Sequence, residues 1–124
     1  MMSMRVFGEL ETVVMAELWA MGGDGTVREV FERLRAEREI AYTTVLSTME
    51  NLLRKGHLTR SPQGRAYRYH TALTQAEHTA GLMREALASG EKDIAAVLTH
   101  FVGKMSSDEL EDLKAVIRRS RSKR

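Results

Sequence analysis

The sequence predicts a mainly α-helical protein (α+β) that carries a small β-hairpin near its middle. Apolar residues recur at helical spacing in six separate segments. Between the third and fourth segments, residues 57–60 and 66–70 alternate with period two around a stretch that contains a proline and a glycine, which is typical of two strands joined by a turn. A chain of 124 residues has room for one ordinary domain or two very small ones.

Glycines and capping sequences separate the first three predicted helices. Residues 9–21 form the first, and residues 22–25, with three glycines in four positions, end it because their backbone is too free to continue a helix. Thr26 and Glu29 have the spacing of a capping box and open the second helix. A short connector then leads to the third, at residues 41–56.

The third predicted helix has two contrasting sides. Val45, Met49, Leu52 and Leu53 have the spacing that faces a core. The other side carries short hydrogen-bonding side chains in place of the Glu and Lys of an ordinary solvated helix: Thr43, Thr44, Ser47, Thr48, Asn51 and Arg54. Such side chains suit base edges and phosphates, so we predict a DNA-recognition helix whose side chains up to Asn51 face the major groove. Tyr42, at its start, either donates to a phosphate or packs against the second helix.

Positive charge is concentrated on and just after this helix. The net charge is only +2, but residues 42–72 contain five cations, Arg54, Lys55, Arg60, Arg65 and Arg68, against Glu50 alone. A DNA phosphate is attracted by this local cluster of positive charge and not by the net charge of the protein, because charges act only over a Debye length of roughly 8 Å. We therefore expect these cations to neutralise phosphates, and residues 1–72 to form a winged helix-turn-helix domain.

Residues 73–124 are predicted to form a three-helix dimerisation domain. Their apolar stripes consist of Met83, Leu87, Ile94, Val97, Leu98, Phe101, Val102, Leu110, Leu113 and Ile117. About 50 residues make a marginal core, so a second copy would bury these stripes, and a symmetric dimer would set two recognition helices roughly 34 Å apart on inverted-repeat DNA. The alternative is that the helices fold back onto their own winged helix.

The sequence contains no recognisable pattern of an enzyme or a metal site. There is no cysteine, no nucleophile elbow and no phosphate-binding loop. The four histidines have no metal-binding spacing and are expected on the surface or in the predicted hairpin, the wing of the winged helix. No apolar run approaches the roughly 20 residues of a membrane span, and the N-terminus lacks the apolar core of a signal peptide. We therefore predict a cytoplasmic protein that is not an enzyme and has no cofactor, metal site or membrane insertion.

Five short motifs, spread over the first two thirds of the chain, match those of a known protein family. They are Gly8-Glu9-Leu10-Glu11, Thr26-Val27-Arg28-Glu29-Val30, Ala41-Tyr42-Thr43-Thr44-Val45, Lys55-Gly56 and Gly64-Arg65-Ala66-Tyr67-Arg68-Tyr69. Together they resemble the BlaI/MecI family of penicillinase-type repressors, most closely over residues 8–70. The resemblance implies a homodimeric repressor of genes such as those for β-lactamases, a double-stranded operator, and a membrane-bound sensor-protease as partner. It also implies cleavage at His100-Phe101. Asn51 departs from the family, in which Arg is common at that position.

Two alternative functions are also compatible with the sequence. One is a winged-helix regulator that leaves DNA when a small ligand binds in the dimer interface. The other is a winged-helix module for protein interactions, against which the polar helix face and the basic hairpin argue.

Overall fold

A computed structural model of the chain describes residues 7–89 and 93–122. They form two compact units, divided after Met83. The first contains α1 (Glu9–Ala20), β1 (Asp24–Thr26), α2 (Val27–Arg35), α3 (Tyr42–Arg54), β2 (Leu58–Gln63) and β3 (Ala66–Thr71). Helix α4 (Gln75–Ala88) begins in the first unit and ends in the second, which also contains α5 (Ile94–Gly103) and α6 (Ser107–Ser122). The predicted fold class is confirmed, while the domain boundary at residue 72 stays a prediction.

The core of the first unit is built from one apolar face of each of its first three helices, closed by the sheet. The buried apolar residues are Val14, Met15, Leu18, Val27, Val30, Leu34, Val45, Met49, Leu52, Leu58 and Tyr69. The predicted core face of α3 is thus confirmed for Val45, Met49 and Leu52, whereas Leu53 is only partly buried. This packing fixes which side of α3 faces solvent.

The sheet has three strands, one more than the sequence indicated. β1 pairs antiparallel with β3, placing Gly25 opposite Tyr69, and the strand order is β1-β3-β2. Asp24 and Gly25 are weak strand formers, so it is the pairing with β3 that makes this segment a strand. Gly25 is buried, and a Cβ there would lie 2.6 Å from Cε of Met21, so a larger residue at this position would displace the end of the Met21 side chain.

The hairpin formed by β2 and β3, here called the wing, is longer than predicted. Its strands extend to Gln63 and from Ala66, so only Gly64 and Arg65 lie between them. Gly64 has a φ of 61°, which suits a tight turn. Pro62 lies within β2, where the missing N–H is tolerated because β2 is an edge strand. The predicted turn at residues 61–65 is therefore too long, and Arg65 lies at the tip.

The start of α4 is held against the first unit by an aromatic cluster. The rings of Phe7 and His78 stack with centroids 4.5 Å apart, and His57 meets Phe7 edge-on at 4.8 Å. The indole of Trp19 donates a hydrogen bond to the carbonyl of Leu73 at 3.0 Å. His78 is buried, so the expectation of surface or wing histidines is wrong for this residue, because α4 packs back onto α1.

Capping boxes open three of the helices, and the one predicted at Thr26 is confirmed. The hydroxyl of Thr26 accepts from the N–H of Glu29, whose carboxylate accepts from the N–H of Thr26. The same pair of bonds joins Thr74 to Glu77 and Ser106 to Glu109. Helix α5 follows the N-cap Asp93; the sequence predicts this segment from Glu91, a position outside the described residues. Within the described ranges, no helix is both long and apolar enough to cross a membrane.

Candidate nucleic-acid interface

The solvent side of α3 carries most of the predicted polar residues. Tyr42, Thr43, Ser47 and Arg54 are exposed, while Thr44 and Asn51 are half-buried. Thr43, Ser47, Asn51 and Arg54 follow one another at intervals of four, four and three residues, so they lie along one side of the helix. The structure therefore brings these side chains together on one accessible strip.

Thr48 does not belong to this strip, and the prediction that it faces outward is wrong. Its side chain is 7% exposed, and its hydroxyl donates to the carbonyl of Thr44 at 2.8 Å. A threonine in a helix can satisfy its hydroxyl in this way, which makes it compatible with the core. Its polar character in the sequence conceals this orientation.

Tyr42 packs its ring against α2. The ring meets that of Phe31 edge-on, with centroids 5.5 Å apart, and the guanidinium carbon of Arg28 lies 5.9 Å from its centroid. The ring therefore packs against the second helix, as one of the two alternatives predicted, while a contact of its hydroxyl with a phosphate stays a prediction. The ring is still partly accessible, because 40% of the residue remains exposed.

The five cations near α3 fall into two groups. Arg54, on the last turn of α3, and Arg65, at the tip of the wing, are exposed and make no ion pair within residues 7–89 and 93–122. Their guanidinium groups are available to a phosphate. The other three cations contact groups of the protein itself.

Arg68 joins the wing to β1 and to the start of α2. Its Nε donates to Oδ1 of Asp24 at 2.7 Å, and its Nη1 donates to Oε1 of Glu29 at 3.1 Å. The hydrogen bond to Asp24, which outweighs the opposing effect of burial, raises the pKa of Arg68. The carboxylates lie 44 and 39 residues away in the chain, so charge counting along the sequence could not show that this cation is already paired.

Arg60 lies on the tyrosines of the wing. Its guanidinium carbon is 4.0 Å from the ring centroid of Tyr67, and its Nη1 donates to the hydroxyl of Tyr69 at 3.3 Å. This hydrogen bond raises the pKa of Arg60. The side chain therefore stabilises the packing of both rings.

Lys55 links the end of α3 to the first turn of α1. Its Nζ donates to Oε2 of Glu11 at 2.8 Å. Burial alone would raise the pKa of Glu11, but the hydrogen bonds from Lys55 and from the N–H of Gly8 together bring it below 4.5. The sequence did not single out Glu11, Asp24 or Glu29 as partners of these cations, because only the fold brings them together.

The Glu11–Lys55 pair should make stability depend on pH. Because the pKa of Glu11 is lower in the folded than in the unfolded chain, the pair stabilises the fold above the unfolded pKa. This contribution disappears as the pH falls through the folded pKa. We expect Glu11→Gln to lower Tm at pH 7, and the difference from the unaltered chain to narrow below pH 4.5. Thermal melts of Glu9→Gln, which alters an exposed carboxylate of the same helix turn, should show much less narrowing. An equal effect of both changes would contradict the pairing.

The described residues contain no group of three or more His, Cys, Asp or Glu side chains placed to hold a metal ion.

The comparison with family models is decisive, because residues 7–119 match the model of the penicillinase repressor. The chain belongs to the penicillinase repressor family. This member of the family is 38% identical over 112 residues to the transcriptional regulator BlaI from two strains of Mycobacterium tuberculosis, a match that covers 89% of the chain and 81% of the relative. The resemblance read from the sequence motifs is thereby confirmed.

Solved structures agree on the fold. The chain is similar to the DNA-binding domain of the repressor BlaI, with a TM-score of 0.53 at 21% identity, over 62% of this chain and 93% of that one. It is also similar to monomeric Bacillus licheniformis BlaI in complex with the blaP half-operator, with a TM-score of 0.51, 21% identity and the same coverage. This penicillinase repressor family member is therefore a transcriptional repressor with a DNA-binding winged helix, and not an enzyme.

Proposed function

We propose that the chain represses transcription as a homodimer that binds an inverted-repeat operator, with α3 in the major groove and the wing on the backbone. One observation carries this proposal: the polar strip of α3 is accessible, and Arg54 and Arg65 are cations near it that make no ion pair within the described residues. Thr43, Thr44, Ser47 and Asn51 would contact base edges. Arg54 and Arg65 would neutralise phosphates, and the hydroxyl of Tyr42 would lie beside them.

The apolar face of the second unit supports dimerisation. Neither α5 nor α6 contains a buried residue in the single chain. Ile94, Leu98, Phe101 and Ile117 are between 44% and 51% exposed, as is Met83 in α4. The other residues of the proposed interface are partly covered: Leu87, Val97, Val102, Leu110 and Leu113. Covering this surface with a second copy gains about 25 cal/mol for each Å² of apolar area removed from water.

The repressor would be inactivated by cleavage within α5 when an inducing signal is present. His100 and Phe101 are both exposed on α5, where a membrane-bound sensor-protease would cut between them. The cut would detach α6 together with the end of α5. Each protomer would then retain one winged helix and lose its partner, so that genes of the β-lactamase or antibiotic-response type would be expressed.

Selection of binding sites from random duplexes tests the operator proposal. We expect enrichment of an inverted repeat whose half-sites lie about one helical turn, roughly 10 base pairs, apart or a multiple of it. Enrichment of single asymmetric half-sites would contradict the homodimer. Failure to bind any duplex at low salt, where electrostatic attraction is strongest, would contradict DNA binding itself.

Ser47 and Thr48 provide a paired test of the recognition strip. Ser47→Ala removes an exposed hydroxyl, so we expect the preference among operator variants to change, by about tenfold at the base that it contacts. Thr48→Val replaces a hydroxyl that only bonds within α3, so the preference should stay unchanged. Fluorescence anisotropy on a panel of single-base operator variants measures both. A larger change in preference for Thr48→Val would overturn the proposed orientation.

Arg65 and Arg68 separate a phosphate contact from a positioning contact. Arg65→Ala should weaken binding about equally on all sequences and reduce the slope of log K against log salt by about one. Arg68→Gln breaks the contacts to Asp24 and Glu29, so it should lower Tm and weaken binding while leaving the slope unchanged. Anisotropy titrations at several salt concentrations give both slopes, and a similar loss of slope for both variants would refute the assignment.

A further inference from the structure

A groove of about 250 Å³ opens in the first unit between the start of α2, the start of α3 and the wing. Arg28, Tyr42, Arg65, Tyr67 and Tyr69 contribute to its walls. Sites for drug-sized ligands typically measure roughly 300–1,000 Å³. The volume of this groove therefore suits a molecule with a single ring.

The charge inside the groove is positive. Arg28 and Arg65 are the only charged side chains among its lining residues. Arg65 has no ion pair within the described ranges, and Nη1 of Arg28 is 3.7 Å from Oε1 of Glu32, with both side chains at least half exposed. An exposed pair of this kind is worth little, so Arg28 can exchange Glu32 for a stronger anionic partner.

The aromatic walls are held in place without a ligand. Tyr42 packs edge-on against Phe31, and Arg60 contacts both Tyr67 and Tyr69. Tyr42 and Tyr67 nevertheless remain 40% and 45% exposed. Fixed rings with accessible surface offer contact area at a low cost in conformational entropy.

We propose that this groove binds a small aromatic carboxylate. The ring of the ligand lies against Tyr42 and Tyr67, and its carboxylate pairs with Arg28 or Arg65 through the planar donor geometry of the guanidinium. An anion without a ring leaves the tyrosine surface uncovered. A neutral ring leaves the positive charge without a partner.

Ligand and DNA compete for this groove, a consequence that rests on the proposed function. Tyr42 and Arg65 line the groove and are also proposed to contact the operator. Because binding free energies are reciprocal, the ligand weakens DNA binding by the same factor by which DNA weakens ligand binding. Unlike a ligand in the dimer interface, this one acts at the recognition surface.

Titration of the whole chain with sodium benzoate, followed by ¹H–¹⁵N NMR in the absence of DNA, tests the site. We expect saturable shifts centred on Tyr42, Arg65 and Tyr67. Binding should be at least about tenfold weaker for acetate, which lacks the apolar ring, and for benzamide, which lacks the charge-assisted hydrogen bond. The double variant Arg28→Gln/Arg65→Gln should weaken benzoate binding about tenfold or more with Tm unchanged, whereas Arg38→Gln, an exposed arginine outside the groove, should not. Equal responses to acetate or benzamide, or shifts centred elsewhere, overturn the proposal.

A second measurement keeps this inference separate from the proposed function. Benzoate should raise the apparent Kd for an operator duplex in proportion to its saturation of the groove, while acetate at equal ionic strength should not. If the duplex binds and benzoate does not, the groove proposal fails and the repressor proposal stands. If benzoate binds and no duplex does, the repressor proposal fails and the groove stands.

Discussion

Phe101→Asp should convert the repressor into a monomer that no longer holds an inverted repeat. Phe101 lies on α5 and is 51% exposed in the single chain, in the middle of the apolar face proposed to contact the second copy. A carboxylate there would have to lose its hydration in the interface, which is costly. We expect a monomeric mass by sedimentation and a loss of roughly 100-fold or more in affinity for the full operator, the advantage that bivalent binding supplies.

The control for this change is Thr99→Asp. Thr99 is exposed and lies two residues from Phe101, hence about 200° around the helix, away from the apolar face. This variant should remain dimeric and bind the full operator as the unaltered chain does. Affinity for a single half-site should be the same for both variants, since neither alters the first unit. A dimeric Phe101→Asp chain would show that α5 does not form the interface.

Leu52→Ala should strongly destabilise the winged helix. The side chain is completely buried in the core, on the inner side of α3. Removing a buried leucine side chain typically costs about 2–5 kcal/mol through lost burial and the cavity that remains. Urea denaturation followed by circular dichroism should show the midpoint fall by a corresponding amount, with little change in the m-value.

Leu10→Ala provides the matched comparison, because Leu10 is 36% exposed on α1. The same chemical change there should cost less than at Leu52, since part of the Leu10 side chain is already in contact with water and its removal leaves no enclosed cavity. Similar costs for the two variants would mean that α3 is less tightly packed than its burial indicates.

The features that could be predicted from the sequence are those fixed by neighbours along the chain. The core face of α3 follows from the spacing of Val45, Met49 and Leu52, and the helix starts follow from capping boxes whose two members are three residues apart. The wing follows from period-two alternation around a turn. In each case the interacting groups belong to one element or to adjacent elements, so a periodic pattern contains the information.

The features that were missed depend on residues distant in the chain. Strand β1 forms only because β3 lies beside it, and Arg68 is paired because Asp24 and Glu29 lie beside the wing. Thr48 has the polar side chain of a recognition residue, but it is buried because its hydroxyl donates a hydrogen bond to the carbonyl of Thr44. A count of charged or polar residues treats each one as available to contact DNA, whereas the fold determines which ones already make an ion pair or a hydrogen bond within the protein.

The aromatic cluster at the start of α4 also provides an intrinsic fluorescence signal. Trp19 is the only tryptophan of the chain, and its ring lies 5.4 Å from that of His78 while its N–H bonds to Leu73. Its emission therefore reports on one location, the contact between α1 and the beginning of the helix that continues into the second unit. Release of α4 would change this fluorescence, which can be measured beside the helical signal in circular dichroism and without an attached dye.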